Sequence, residues 1–368
     1  MKGKCMYSED NFYTKATKSF INYSSNDATA IIAREHALLG LSRLIACLNY
    51  LGSPCEDVRM IALPDFTYTR NPNRWEAGFP YGCIIYIPQM DIPFIPIDFR
   101  PNCCGVTFAE IPTFNENLSN FRNRYMNVIR KYSKVDHKDL NRRNHFFAIY
   151  HNIQNNKYYC LLHCSFKFVK HTLYSEHNKL LEGIKTYNFF SQDFHYLIGK
   201  EAEEYYNMYL QLEKETLSLR SLIIHELFND AHILFNRTHE GFMGINTYLL
   251  GAYADCIEFT YPLMLSPDSN LYVVNVNKEI ELCSQRSIYC APHGGGYALD
   301  SIVSAHISNN RENDEEYVLQ FSNNCSFLTN NILDMPFNYR NNTAHDWCTK
   351  YSIAEIKETL LPIINLKL

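Results

Sequence analysis

The sequence predicts an α+β protein, one large intertwined domain of mixed and antiparallel sheets with flanking helices. Three observations predict it. Two long stretches carry apolar residues at helical spacing, and most of the remainder is short β-branched or aromatic runs cut by Pro and Gly. No internal repeat or low-complexity linker divides the 368 residues, so one domain is more economical than two.

The elements follow in order. Residues 27–51, "DATAIIAREHALLGLSRLIACLNYL", begin at an Asp able to cap and end at Gly52, which predicts a helix. "RMIALPDF", "YGCIIYIP" and "GVTFAEI" have the texture of buried strands. "HFFAIYHNI" and "YYCLLHCSFKFV", separated by the turn-like "QNNK", are two more. Residues 201–228 form a long amphipathic helix within a helical insertion of about 196–236. Late strands "LYVVNV" and "SIYCA" lead into "PHGGGYALD", and "SIAEIKETLLPI" predicts a C-terminal helix running into a last strand.

Composition excludes several classes. Hydrophobic content of 46% with 20% charged residues is that of a globular chain. The first residues are followed by no apolar signal region, and no run approaches the ~18 residues a membrane span needs, so the expectation is a soluble cytoplasmic protein without membrane contact. Thirteen cysteines, an odd count, argue for free thiols and metal ligands over a disulfide framework. The net charge of −5 carries no general nucleic-acid signature. A local basic patch runs from Arg122 to Arg143 and includes Arg142 and Arg143.

Two constellations bear chemistry. His293 precedes Gly294, Gly295 and Gly296, which reads either as a glycine turn with an incidental histidine or as bare backbone presented to an anion. An esterase oxyanion loop would also want a Gly-x-Ser-x-Gly elbow, and the chain has none. Cys104, His145 and His163 lie at strand starts or within strands; a thiolate and two imidazoles suit Mn²⁺ or Zn²⁺. Alternation puts Cys160 and Cys164 on the face opposite His163, as core thiols. His137, His151, His171 and His177 have polar neighbours and read as solvated.

Taken in order, these pieces resemble the RtcB-type RNA ligase family over most of the chain. "IALPDF" and "AGFPYGCII" resemble its Pro-Asp strand and Gly-x-Pro-x-Gly turn, and "NCCGVTF" its Asp-x-x-Cys-Gly metal loop. "NHFFAI" resembles its Asn-His-Phe-x-Glu strand, "LLHCSFK" its His-x-Gly-Ser-Arg strand, "MPFNYR" its Pro-x-x-Tyr-Lys element and "LLPIINLKL" its closing strand. The resemblance implies an RtcB-like fold. It also implies an enzyme that uses GTP and Mn²⁺ to guanylylate a histidine, then joins an RNA 3′-phosphate or 2′,3′-cyclic phosphate end to a 5′-hydroxyl. On the matching positions, Cys104, His145 and His163 would hold a metal, and Asn144 would touch the nucleotide. Tyr339 would stack on guanine, Lys367 would meet its edge, and Lys167, Arg142 and Arg143 would face RNA or phosphate.

Departures accompany the matches. Pro101 stands where the family has an aspartate ligand, and Asp98 substitutes only if the loop rearranges. The His-Asn pair sought near "YADCIEFTY" is missing, which favours one metal site over two, and Ala148 replaces the guanine-reading Glu. His293 admits two alignments: as the family's nucleophile in its His-Gly-x-Gly-Arg loop, or within an earlier phosphate-wrapping segment with the nucleophile deleted. His306 is the only other histidine in that region. Three readings therefore stand: an RNA ligase acting through His293, a degenerate RtcB-like module that binds RNA or nucleotide, and a metal-dependent phosphodiesterase in which Cys104, His145 and His163 activate water.

Overall fold

The computed structural model describes residues 9–132, 145–189, 192–266, 269–283, 286–299, 302–308, 316–321, 326–329, 338–340 and 344–366. Asn144, Arg142, Arg143, Lys367 and His137 lie outside the described residues. The architecture is mixed helix and sheet, and none of the described helices is long and apolar enough to cross a membrane.

Two sheets face each other. One has five strands in the order β1 (Phe20–Asn22), β2 (Arg59–Thr67), β3 (Tyr81–Tyr86), β12 (Thr247–Leu250), β11 (Glu240–Phe242). The other has seven, ordered β10 (His232–Thr238), β5 (Gly105–Ile111), β7 (Lys157–Cys164), β6 (Phe146–Asn152), β23 (Ala354–Leu366), β15 (Leu271–Val276), β14 (Phe259–Met264). Period-two alternation sorts their side chains. Ile61, Leu63 and Ile84 of the first sheet meet Val106, Phe146, Ala148 and Leu161 of the second in one core between the sheets. The opposite faces, carrying Met60, Ala62, Phe147, Ile149 and Leu162, pack on helices in a second core. Cys160 and Cys164 join that second core, as alternation predicts.

The helices of the second core are α2 (Ala28–Tyr50) against the five-stranded sheet, and α3 (Leu118–Lys131) with α5 (Lys200–Leu227) against the seven-stranded one. Asp27 caps α2 by accepting from the Ala30 N–H at 2.9 Å, so the predicted 27–51 helix is right to one residue at each end. α5 ends at Leu227; the flanks of the predicted 196–236 insertion are strands, β9 (Gln192–Ile198) and β10.

The predicted C-terminal helix at "SIAEIKETLLPI" is a correction. Ala354–Leu366 is a single 13-residue strand. β23 pairs with β15 through residues 354–360 and with β6 through residues 361–366, and the register slips between Pro362 and Ile364, where a proline cannot donate to the ladder. A short helix, α6 (Ala344–Tyr351), precedes it. The last strand thus lies in the middle of the large sheet.

Candidate active site

Four adjacent strands end at one edge of the seven-stranded sheet. In the order β10, β5, β7, β6 the strands are antiparallel, so the end of β10 lies beside the start of β5, the end of β7 and the start of β6. Registers Thr238↔Gly105, Val106↔His163 and Phe146↔His163 bring their end residues level. His239, Cys104, His163 and His145 therefore converge, all buried. Cys104 Sγ lies 3.4 Å from His145 Nε2 and 3.4 Å from His163 Nε2, and His163 Nε2 lies 3.3 Å from His239 Nε2.

The Cys104 loop is held in an unusual backbone shape. Arg100 and Cys103 have φ of 47° and 58°, the left-handed region that side chains disfavour. Surrounding bonds compensate for that strain. The N–H groups of Asn102 and Cys103 donate to the Glu240 carbonyl, and those of His239 and Glu240 donate to the Cys104 carbonyl. Asn102 Oδ1 accepts from the Cys104 N–H at 2.9 Å, and the Asn102 amide donates to the Glu240 carboxylate. From α5, the buried Arg220 donates to the Cys103 carbonyl at 3.2 Å.

Three ligand atoms, those of Cys104, His163 and His239, lie within 4.8 Å of one another and suit a metal ion. This trio differs in one member from the expected Cys104, His145 and His163; His145 approaches the sulfur but is not part of the compact group. His239, in "THEGF", takes the place in the trio that the expected set gave to His145. The donor set fits a cation on spacing. Tetrahedral bonds of ~2.1 Å to nitrogen and ~2.3 Å to sulfur set ligand atoms ~3.4–3.6 Å apart. Burial, together with the neighbouring His293 and His163, holds the His239 pKa well below its ordinary value, so the ring is neutral. Its Nδ1 is 3.1 Å from the Tyr253 hydroxyl, which leaves Nε2 for an ion. Burial pushes the Cys104 thiol well up, Glu240 adds to this, and Lys170 and Arg220 oppose it; a bound cation would reverse the balance.

Asp98 does not substitute for the missing aspartate. Its carboxylate accepts from the His195 N–H at 2.8 Å and pairs with His195 Nδ1 at 3.1 Å.

Beside the trio opens a cleft of about 790 Å³, its mouth included, lined by His163, His293, Gly294, Gly295, Gly296, Thr67, Tyr297 and Tyr339 among others. His293 follows β17 (Arg286–Pro292), and its ring lies 4.9 Å from that of His239. Asp65, on β2 and 1% exposed, anchors it. Asp65 Oδ2 lies 2.6 Å from His293 Nδ1 and accepts from the N–H groups of His293 at 3.1 Å and Gly294 at 3.3 Å. Burial opposes charging the ring, but Asp65, Glu240 and the Gly251 carbonyl outweigh it and hold the pKa of His293 above its ordinary value. Glycine is required at two places in the loop. A Cβ on Gly295 would stand 2.2 Å from the Leu265 carbonyl, and Gly296 has φ of 71° with Arg340 Nη1 2.5 Å from where a Cβ would be.

Tyr339 pairs with Tyr297 across a two-stranded ladder, their rings 5.4 Å apart, and both line the cleft. Lys167 opens α4 (Lys167–Tyr174), is exposed, and is not among the cleft residues. His306 is exposed on β19 (Ile302–Ser308). His171 and His177 are exposed, as expected, while His151 is half-buried and stacks on Tyr158. Ala148, where a base-reading Glu was sought, is buried between the sheets. Sequence reasoning gave no role to Asp65 or His239. The available signal was a lone acid inside an apolar strand, which needs a buried partner, and a His-Glu pair just past a strand.

No model of a known protein family matches the chain, and no curated protein matches its sequence.

Proposed function

We propose that this cleft transfers a nucleotide through His293, in the manner of the RtcB-type RNA ligases that the motif order resembles. GTP is the donor, and the overall reaction joins an RNA 3′-phosphate or 2′,3′-cyclic phosphate end to a 5′-hydroxyl. The observation that carries this reading is the Asp65–His293 pair, at 2.6 Å, set one ring away from the Cys104, His163 and His239 trio in a shared cleft.

The chemistry asks for a neutral imidazole with its lone pair on Nε2, so the ring, whose pKa Asp65, Glu240 and the Gly251 carbonyl raise, must first give up its Nε2 proton. Asp65 keeps the remaining proton on Nδ1 and so selects that tautomer. As the Nε2–P bond to the α-phosphorus forms and the bond to the leaving pyrophosphate breaks, the ring becomes cationic, and the adjacent carboxylate stabilises it. Gly295 and Gly296 bring bare backbone to the cleft wall, where phosphate oxygens can approach closely. Tyr297 and Tyr339 offer aromatic faces to a base. A divalent cation in the trio would supply charge neutralisation. This arrangement favours the alignment in which His293 is the nucleophile; among the described residues, His306 has neither a carboxylate partner nor a place in the cleft.

Incubation with α-labelled GTP and a divalent metal tests the reading. The expected result is an acid-labile label on the wild-type protein and none on His293→Ala. A preparation with a wild-type melting profile that takes no label with any divalent metal would sink it. Retention of nucleotide without a covalent label is the result expected of an inert binding module.

A further inference from the structure

We infer that Cys104, His163 and His239 form a single-ion site that takes Zn²⁺ in preference to Mn²⁺. The cation implied by the family resemblance is a hard ion that prefers oxygen ligands, many of them, in an octahedron. This trio offers one sulfur and two imidazole nitrogens and no oxygen.

Among the described residues, the acids that could have added one are committed elsewhere. Glu240, next to His239, is tied to Arg74 at 3.0 Å and to the Asn102 amide, and Tyr81 bonds it as well. Asp65 faces His293, Asp98 faces His195, and residue 101 is a proline. What remains is the donor set of a tetrahedral borderline ion. Two of the trio's three separations, 3.4 Å from the Cys104 sulfur to His163 and 3.3 Å from His163 to His239, are close to the ~3.4–3.6 Å edges of such a tetrahedron, and the third is within 4.8 Å. Across first-row divalent ions Mn²⁺ binds weakest to a given nitrogen and sulfur set, so with no oxygen ligands to compensate, Zn²⁺ wins.

The site has the character of an open one. Three protein ligands leave a fourth position, and His163 also lines the cleft, so a cleft ligand can reach an ion held there. His145 Nε2 lies 3.4 Å from the same sulfur but falls outside the compact trio, and it is assigned no place among the ligands. Metal preference does not depend on the nucleotide chemistry of His293, and it is read without an activity assay.

The experiment uses the full chain, purified without a polyhistidine tag, stripped with chelator and dialysed against equimolar Zn²⁺ and Mn²⁺. Elemental analysis is expected to find one Zn²⁺ per chain and no stoichiometric Mn²⁺. Loading with Co²⁺ is expected to give intense visible d–d bands and a thiolate-to-metal band in the near ultraviolet, the signature of tetrahedral coordination with sulfur. His239→Asn is expected to weaken zinc by ~100-fold or more, and Cys104→Ser to abolish the thiolate band, while His145→Asn keeps one equivalent. Stoichiometric Mn²⁺ from the equimolar mixture, a weak octahedral cobalt spectrum, or zinc lost with His145→Asn and kept with His239→Asn would each overturn the assignment. If a variant misfolds, the wild-type competition and cobalt spectrum still decide. Zinc bound without a labelled adduct refutes only the role of His293; an adduct with Mn²⁺ in the trio refutes only this inference.

Discussion

Replacing Asp65 by Asn is the sharpest perturbation of the cleft. The carboxylate accepts three bonds through one oxygen, from His293 Nδ1 at 2.6 Å and from two backbone N–H groups at 3.1 and 3.3 Å. Asparagine keeps a carbonyl oxygen of the same size, so all three bonds survive as neutral ones. What disappears is the charge beside the imidazole, which no longer stabilises the cationic ring. A bond to a charged group exceeds a neutral one by about 1–2 kcal/mol. A loss of that size corresponds to ~5–30-fold in rate. Single-turnover incorporation of label from saturating GTP measures it, with circular dichroism confirming the fold. His293 should also titrate lower by NMR, because Asp65 raises its pKa. Asp98→Asn, a change at a distant His–Asp pair, serves as the control and should label normally. An Asp65→Asn protein that labels at the wild-type rate, with an unshifted His293 resonance, would refute the account of the nucleophile.

Three further outcomes follow from the geometry. Among the described residues no Asp or Glu lines the cleft and Ala148 is buried, so nothing seen there reads the guanine edge; labelling with ATP should come within about tenfold of GTP, checked by competition. Arg340→Ala should cost about 2–3 kcal/mol in denaturant unfolding. The 3%-exposed guanidinium binds Asp27 at 2.5 and 3.0 Å and the Phe66 carbonyl at 3.0 Å, but Asp27 is a third exposed and retains its cap bond to Ala30. His195 is raised above its ordinary pKa by its bond to Asp98, with burial opposing. Its stabilising contribution is therefore fully present below about pH 6.5 and lost as pH rises through the folded value; His195→Gln should flatten that part of the stability profile.

Local signals account for the elements that sequence reasoning placed well. Asp27 at the cap and Gly52 past the end bracket α2, and the run from Glu201 carries its own helical period. β23 shows where local signals fail. "AEIKETLLPI" alternates buried and exposed positions only loosely, and its strand state comes from two partners, β6 and β15, far away in sequence. Helix propensity in Ala, Glu, Lys and Leu pointed the other way, and pairing with two distant strands in succession won.

The site divides in the same manner, between residue type and register. Cys104 and His163 were legible because each sits in or beside a strongly apolar run, where a ligand-bearing side chain is conspicuous. His239 was not, because its membership rests on β10 pairing with β5, so that Thr238 falls opposite Gly105 and the following residue meets Cys104. Asp65 was visible as a buried acid, yet its partner lies 228 residues later. Its position on β2, at the Gly294 end of a cleft between two sheets, depends on both sheets being assembled. Antiparallel pairing of β10, β5, β7 and β6 gathers four strand ends at one edge, three of them bearing the trio. A single-residue slip of β7 would turn His163 into the helix-side core with Cys160 and Cys164, so the metal trio requires the pairing register as well as its residues.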